Sequence, residues 1–411
     1  MINPITPYPP PPIMLEGKTV ILGVTGSIAA YKIASLASLL VKMHADVNVI
    51  MTKNATNFIS PVTFETLTAN KCIVDTFDRS FDFKVEHVSL AKRANIVLVA
   101  PATANIIGKV ANGICDDMLT TTIFATKAPV VFAPAMNTAM WENPILQNNI
   151  STLCGYGYCF VSPDSGRLAC GDSGQGKMPS EDILLEHILL HTAHDNDMVG
   201  RRVLVSAGPT CEDIDPVRFL TNRSSGKMGY AIAKAAAIRG ARVTLVSGPV
   251  ALRPFVGIET TIQVRTAADM FDAVTSRQAD NDIIIMCSAV ADYTPETYCG
   301  QKMKKGETDL SIPLTRTKDI LQHLGDNKTK GQTIIGFSME TEDLIENSRK
   351  KLDKKKCDFI CANSINGSDT GFATETNMVT IVSHEGCRQL PLCSKYQTAN
   401  LILDACIHQK H

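Results

Sequence analysis

Apolar residues in this chain gather in short unbroken runs, each followed by a polar motif marked by glycine or proline and then by a stretch with helical spacing. Thr19 to Val24 is the first such run; it leads into Thr25-Gly26-Ser27, a helical pattern over 28–43 and a second run over 47–51. Runs of this kind, with helices between them, predict a β-α-β unit of a parallel sheet buried on both faces. After residue 200 the scheme recurs loosely: a strand over 202–206, a long polar insertion, a helix from about Lys227 to Arg239 and a strand over 242–246. The flanks match as well, Gly17-Lys18 with Gly200-Arg201 and Ala45-Asp46-Val47 with Ala241-Arg242-Val243. The likeness reads as a shared nucleotide-type fold rather than a true repeat. Further strand candidates lie over 96–100, 130–133, 283–287, 333–336 and 359–362, and each runs straight into a polar motif. In open parallel sheets ligands collect beyond the carboxyl ends of the strands, so these motifs are the functional candidates.

The chain has 411 residues, too many for one ordinary core and suited to two domains of about 200 residues each. The pattern predicts an α/β protein of two Rossmann-like doubly wound domains: a proline-rich tail over 1–14, a first domain over 15–192, a linker over 193–199 and a second domain over 200–411. With 45% hydrophobic and 20% charged residues and a net charge of -1, nothing marks a globally basic surface for nucleic acid. No apolar run approaches the roughly 18 residues of a membrane helix, and the opening segment has no basic n-region, so neither a membrane partner nor a signal peptide is expected. Its prolines predict a polyproline-like tail. The 13 cysteines include no C-x-x-C pair, which points away from zinc and disulfides and towards a reducing cytoplasm.

Three strand ends in the first half carry distinctive sequence: G-V-T-G-S-I-A-A-Y-K from Gly23, A-P-A-T-A-N from Ala100 and A-P-A-M-N from Ala133. Gly26 permits a tight turn, and Ser27 with the following helix start suits a phosphate, although the pattern is not G-x-G-x-x-G and a dinucleotide is not favoured. His87 lies in E-H-V-S-L-A-K-R-A-N. Cys170 lies in a glycine-rich stretch with little apolar material to bury it, which reads as a flap over a site. In the second half, N-R-S-S-G-K-M-G from Asn222 looks like a phosphate loop and fails as one: Thr221 stands where the first Gly belongs, and Met228 replaces the magnesium-binding Ser or Thr. What remains is a polar turn whose free N–H groups can face an anion; the plain alternative is an ordinary capped helix start.

The ordered motifs G-S-I-A-A-Y-K, P-A-T-A-N, P-A-M-N-T-A-M-W and A-C-G-D-S-G-Q-G-K-M, with His87 between the first two, resemble the flavin-dependent cysteine decarboxylases that act on phosphopantothenoylcysteine. The second half is similar to the phosphopantothenate-cysteine ligases, and the whole chain from Leu15 onward resembles the bifunctional bacterial enzymes of coenzyme A synthesis. The resemblance implies FMN held by Gly26, Ser27 and Ile28, with Thr52, Ala102, Thr103 and Asn105 as further contacts. It makes Cys170 the proton donor, His87 the base or proton relay and Asn137 the grip on the substrate carboxylate and amide. The types suit these roles, since a thiol with an ordinary pKa of about 8.5 is mostly protonated at neutral pH and an imidazole near 6.5 is mostly free to accept a proton.

For the ligase the resemblance implies CTP, a metal such as Mg2+ with it, and an acyl-cytidylate attacked by the amine of cysteine. Lys302 then contacts the triphosphate. Ser288, Asp292, Lys318, Asp319, Ile320, Leu321, Phe337, Lys351 and Lys355 line the CTP site, Asp292 also bears on the metal, and Asn222 holds the acyl intermediate. Lys351 and Lys355 are four residues apart and share a helix face, whereas the rest of 350–356 faces water. The implied substrates are 4'-phosphopantothenate, cysteine and CTP, and the implied assembly is decarboxylase trimers joined through ligase dimers. Departures from the pattern are Asn95, Cys115, Cys287-Ser288 and Thr317-Lys318, the last two bearing on base recognition. Two rivals were weighed. A short-chain oxidoreductase would use Tyr298 and Lys302, but Pro295 and Gly300 argue against the helix it needs. A flavin-binding regulatory protein of the same fold would not need His87, Asn137 and Cys170 together.

Overall fold

The computed structural model describes residues 14–76, 86–167, 173–193, 196–304, 311–340, 343–364 and 376–407. Cys170, Lys305 and the tail up to Ile13 lie outside the described residues. The chain divides into two compact units, Met1–Asp195 and Asn196–His411. Among the described residues no helix is long and apolar enough to cross a membrane.

In the first unit the strands are β1 (Thr19–Val24), β2 (Asp46–Met51), β3 (Ile96–Ala102), β4 (Val130–Pro134) and β5 (Cys159–Phe160), with a hairpin of β6 (Asp164–Arg167) and β7 (Ser173–Lys177). The first five form one parallel sheet in the order β2-β1-β3-β4-β5. Every residue of β1, β3 and β4 is buried, because helices cover both faces and leave no solvent side for alternation to mark. Those helices are α1 (Ala30–Lys42), α2 (Pro61–Thr68), α3 (Glu86–Arg93), α4 (Ala104–Ala111), α5 (Met118–Ala125), α6 (Thr138–Trp141), α7 (Pro144–Gly155) and α8 (Glu181–Thr192). Chain order reverses between β1 and β3, so the loops after these strands diverge and leave a crevice, the switch point at which doubly wound sheets bind ligands.

The second unit contains β8 (Arg202–Ala207), β9 (Cys211–Asp213), β10 (Phe219–Thr221), β11 (Arg242–Ser247), β12 (Thr260–Gln263), β13 (Ile283–Met286), β14 (Tyr293–Pro295), β15 (Leu314–Arg316), β16 (Thr333–Glu340), β17 (Phe359–Ser364), β18 (Thr376–Asn377), β19 (Val379–Ser383), β20 (Gly386–Gln389) and β21 (Cys393–Ser394). Its helices are α9 (Lys227–Ile238), α10 (Ala267–Thr275), α11 (Ile320–Asp326), α12 (Leu344–Lys355) and α13 (Lys395–Ile407). The main sheet runs β12-β11-β8-β13-β16-β17-β19-β20, parallel through β17 and antiparallel beyond it. Counted along the chain, its parallel part has the 3-2-1-4-5-6 order of a dinucleotide-type fold, with the switch point between β8 and β13. The two units share a β-α-β opening but differ in strand order, so the matching flanks mark a common local device and not a duplicated domain. The polar insertion after β8 contains the antiparallel pair β9–β10.

One buried charge organises the second unit. Arg239, 1% exposed at the carboxyl end of α9, donates to Asp197 at 2.5 and 2.9 Å, to Asp404 of α13 at 2.7 Å and to the Asn400 carbonyl at 3.3 Å. Asp197 precedes the first strand and Asp404 lies near the end of the last helix, so a single guanidinium ties both ends of the unit to α9. Burial works against that charge, but its hydrogen bonds to the two carboxylates lift its pKa above the ordinary value.

Candidate active sites

The crevice of the first unit is built where β1 and β3 end. Thr25 is buried; its hydroxyl donates to the Pro101 carbonyl at 2.6 Å and accepts from the Thr103 N–H at 3.1 Å, which pins the two loops together. Thr103 then caps α4 by accepting from Ile106 N. Gly26 lies so close to the next loop that a Cβ there would stand 2.7 Å from Asn54 Cβ, well inside van der Waals contact. The result is a cavity of about 420 Å³ lined by Gly26, Thr52, Thr103 and Asn105 from the expected set, and also by Lys53, Asn54, Lys109, Asp116 and Asp117. The side-chain oxygen of Thr52 is buried without a hydrogen-bond partner, as in a site that expects a polar ligand.

Ala102 is fully buried in β3, Ser27 is half-buried at the start of α1 and Ile28 is exposed; none of the three lines this cavity. His87 is half-buried on α3 and does not line it either. Asn137 caps α6 by accepting from Ala139 N at 2.8 Å. The stem of the β6–β7 hairpin packs against the same strand end: Met136 N donates to Gly176 O at 3.0 Å, and a Cβ on Gly176 would come within 2.3 Å of Met136 O. Cys170 belongs to the stretch of sequence between β6 and β7 and lies outside the described residues. Lys109, Asp116 and Asp117 are not among the residues expected here, although Asp116 and Asp117 belong to the stretch G-I-C-D-D-M that contains the departure Cys115. Burial opposes the charge on Lys109, but hydrogen bonds to Asp116 at 2.7 Å and Asp117 at 3.0 Å raise its pKa.

In the second unit, loops after β8, β13 and β16 enclose two adjoining cavities. The larger, about 650 Å³, is lined by Ser288, Asp292, Lys318, Asp319, Ile320, Leu321, Phe337, Lys351 and Lys355, with Arg316 and Tyr293 beside them. Ser288 is fixed from beneath by Ser206, fully buried in β8, whose hydroxyl lies 2.8 Å from its own and accepts from its N–H at 3.2 Å. Lys351 donates to the Phe337 carbonyl at 2.8 Å, and Lys355 pairs with Asp319. Burial favours the neutral acid at Asp319, yet hydrogen bonds from Lys355 and Gln322 N hold its carboxyl below the ordinary range. Lys350 instead pairs with Glu346 and Lys356 with Asp326, both on exposed surface, so the lysine run divides between the cavity and water. Lys318 sits with its ammonium 4.7 Å from the centre of the Phe271 ring.

The smaller cavity, about 280 Å³, shares Ser288, Val290, Asp292, Phe337 and Lys351 with the larger and is closed by Ser224 to Gly229 and Lys395. Gly226 opens α9 in the left-handed conformation (φ +75°), with no side-chain cap on the helix. The helix start is thus not capped by a side chain, and its N-cap is a glycine. Asn222 lies just outside this lining, where its Nδ2 donates to the Ala289 and Val290 carbonyls at 3.1 and 3.2 Å and so ties the turn to the loop after β13. Desolvation pushes the Cys287 thiol at this cavity up to about 12, against the pull of nearby Lys395. Lys302 is exposed and lines neither cavity, and residues 298–302 form no helix. Among the described residues no group of three or more His, Cys, Asp or Glu is placed to hold a metal.

Two protein families match the chain: "Flavoprotein" over residues 10–192, and "DNA/pantothenate metabolism flavoprotein C-terminal domain" over residues 198–409. The chain is 46% identical over 393 residues to the coenzyme A biosynthesis bifunctional protein CoaBC of Bacillus subtilis, covering 95% of this chain and 97% of that protein. The chain belongs to the CoaBC family. To the CoaBC of Escherichia coli K12 it is 39% identical over 395 residues, covering 95% of this chain and 97% of that protein. The crystal structure of the C-terminal domain of a CoaBC is 43% identical, with a TM-score of 0.45, over 52% of this chain and 97% of that one. As a CoaBC, the chain is a bifunctional enzyme of coenzyme A biosynthesis, a flavoprotein decarboxylase joined to a ligase. Both rivals weighed on the sequence, the oxidoreductase and the regulatory flavin binder, fall with that assignment.

Proposed function

We propose that the second unit joins 4'-phosphopantothenate to cysteine at the expense of CTP, and that the first unit decarboxylates the resulting 4'-phosphopantothenoylcysteine to 4'-phosphopantetheine with FMN. The observation that carries the ligase reading is the pair of adjoining cavities on one switch point: the larger has the cations and the backbone turn of a nucleotide site, the smaller an uncapped helix start. Lys351 and Lys355 serve the triphosphate, with Lys302 brought in from its exposed loop. Magnesium, which takes one or two carboxylates and completes its shell with substrate phosphates, suits Asp292 beside those lysines. The smaller cavity receives the phosphorylated acid, its carboxylate towards the shared wall at Ser288 and Asp292, where attack on the α-phosphorus of CTP gives the acyl-cytidylate and releases pyrophosphate. Asn222, anchored on Ala289 and Val290, serves that intermediate rather than the nucleotide tail.

In the first unit the crevice fits FMN: the turn at Gly26 admits a phosphate close to backbone, and Thr52 has an orphaned hydroxyl to offer. FMN held there would supply the two-electron oxidation of the substrate's cysteinyl side chain that makes loss of carbon dioxide feasible, and would give the same two electrons back as a hydride to the resulting ene-thiolate, so that the flavin ends as it began. Asn137 holds the substrate carboxylate and amide, His87 accepts or relays the proton, and Cys170 returns one. We assign the protein to the cytoplasm and to an assembly of decarboxylase trimers joined through ligase dimers; the exposed Ile28, Tyr31, Val62 and Ile145 on the first unit support further subunit contact. The test is direct. The purified protein is yellow, and with 4'-phosphopantothenate, cysteine, CTP and magnesium it yields 4'-phosphopantetheine, carbon dioxide and CMP. A colourless protein that takes up no FMN, or one that releases no CMP, refutes the corresponding half.

A further inference from the structure

Lys302, read above as a triphosphate contact, stands in a short exposed stretch that belongs to no helix or strand. What holds that stretch comes from the polar insertion after β8. Cys299 N donates to the Ile214 carbonyl at 3.0 Å, and Met303 N donates to Asp215 Oδ2 at 3.1 Å. Two consecutive residues of the insertion thus grip the stretch on either side of Lys302, and Gly300, Gln301 and Lys302 are exposed between the two grips. The insertion is itself tied to the nucleotide side. Thr210 Oγ1 accepts from Ala291 N at 3.0 Å, next to Asp292, and β10 leads directly to Asn222.

Asp215 is the member of this arrangement that its local fold does not explain. It is 1% exposed, and an aspartate is almost never buried to that degree unless its charge is answered. Its Oδ1 accepts from Val217 N and Arg218 N, both at 2.8 Å, which closes the turn around Pro216. That turn needs one oxygen, and an asparagine would supply it as well. The second oxygen is what the acid adds: it takes the Met303 N–H from a segment remote in sequence, with the Arg218 guanidinium 3.6 Å away as counter-charge. A hydrogen bond to an ionised acceptor is roughly twice as strong as a neutral one, so the charge serves the tie to Met303 more than the turn.

We propose that Asp215 is a positioning residue of the ligase: through Met303 it fixes the stretch that presents Lys302 to the triphosphate. This rests on Lys302 serving the triphosphate, as read above. Without the tie the stretch must be ordered each time the nucleotide binds, and each backbone residue fixed only at that moment weakens binding about tenfold.

Asp215→Asn isolates the second oxygen. Its amide oxygen keeps the turn, and its NH2 then meets the Met303 N–H donor to donor. The full-length protein is compared as wild type, Asp215→Asn, Lys302→Met and the double variant, by CTP affinity in equilibrium dialysis and by the rate of CMP release. Asp215→Asn weakens CTP binding about tenfold, leaves the KM for 4'-phosphopantothenate unchanged and spares decarboxylation. In the Lys302→Met background the same change leaves CTP affinity within about twofold, because the residue it positions is gone. A merely structural aspartate costs the same in both backgrounds, and that result overturns the proposal. In the ligand-free wild type the Met303 amide exchanges its hydrogen on the order of a hundredfold more slowly than the Lys302 amide. Equal exchange rates, or an Asp215→Asn protein that does not fold, overturn the proposal as well. Failure of the underlying reading shows separately, as a Lys302→Met protein that binds CTP and releases CMP like the wild type.

Discussion

Gly229→Ala is the smallest perturbation that separates the two activities. Gly229 is buried in the first turn of α9, and an added Cβ would stand 2.6 Å from Ala207 Cβ, 3.0 Å from Ala207 Cα and 3.0 Å from the Ser206 carbonyl oxygen. Carbon atoms rest about 3.5–4.0 Å apart, so relief requires the helix start to back away from β8 by roughly 0.9 Å. None of the opposing atoms can swing aside, since two belong to backbone and the third is the Cβ of an alanine. Overpacking of this kind costs about 1–3 kcal/mol in stability. The functional cost is larger, because misplacing a substrate by about 1 Å lowers a rate on the order of a hundredfold. Ser206, whose carbonyl is one of the three contacts, also holds Ser288 at the wall between the cavities, so strain there spreads to the nucleotide side. Initial rates of CMP release and of decarboxylation of synthetic 4'-phosphopantothenoylcysteine, measured on one preparation, check the reasoning. Ligation is expected to fall about a hundredfold with decarboxylation unchanged. Ligation within twofold of wild type, at an unchanged melting temperature, would show that α9 need not seat on β8.

Other substitutions probe the remaining contacts. Thr52→Val removes a hydroxyl that has no partner in the chain, so the flavin-free protein should be no less stable, while FMN affinity measured by fluorescence quenching falls about tenfold. Lys355→Met should raise the KM for CTP about tenfold and leave that for 4'-phosphopantothenate alone; an equal rise in both would place the lysine elsewhere. His87→Asn should abolish carbon dioxide release while CMP release persists, and loss of both activities would indicate misfolding. Asn222→Asp sets a carboxylate against the two carbonyls its amide now serves, and rapid-quench analysis should show accumulation of the acyl-cytidylate rather than its absence.

The central strands β1 to β4, β8, β11, β13, β16 and β17 were legible because each is an apolar run that leads into a polar motif, whereas the edge strands β5 and β12 are short or polar and were not. Strand order was not legible either, since β1 and β8 look alike in sequence and only pairing distinguishes the five-stranded sheet from the eight-stranded one. The short pairs β9–β10 and β14–β15 carry little pattern because each strand is three residues long; β10 and β15 are largely exposed, and β9 buries a glutamate rather than an apolar run. The edge strand β19 has apolar, buried residues at 379, 381 and 382, ahead of the turn before Gly386. At the sites, residues with motif partners were found and those acting through spatial neighbours were not. Lys109 lies seven and eight residues from the two aspartates it holds, a spacing that no motif marks.

The ion cluster at Arg239 sets where this chain can be divided. A fragment begun at the first residue of β8 contains every strand and helix of the second unit and omits Asp197, one of the two carboxylates that neutralise the buried guanidinium. A buried charge stripped of one partner costs roughly 3–5 kcal/mol, a large share of what holds an average domain together. Splitting the polypeptide to obtain a free-standing ligase therefore succeeds upstream of residue 197 and fails a few residues later, so the functional frontier between the two catalysts lies inside what sequence marks as spacer.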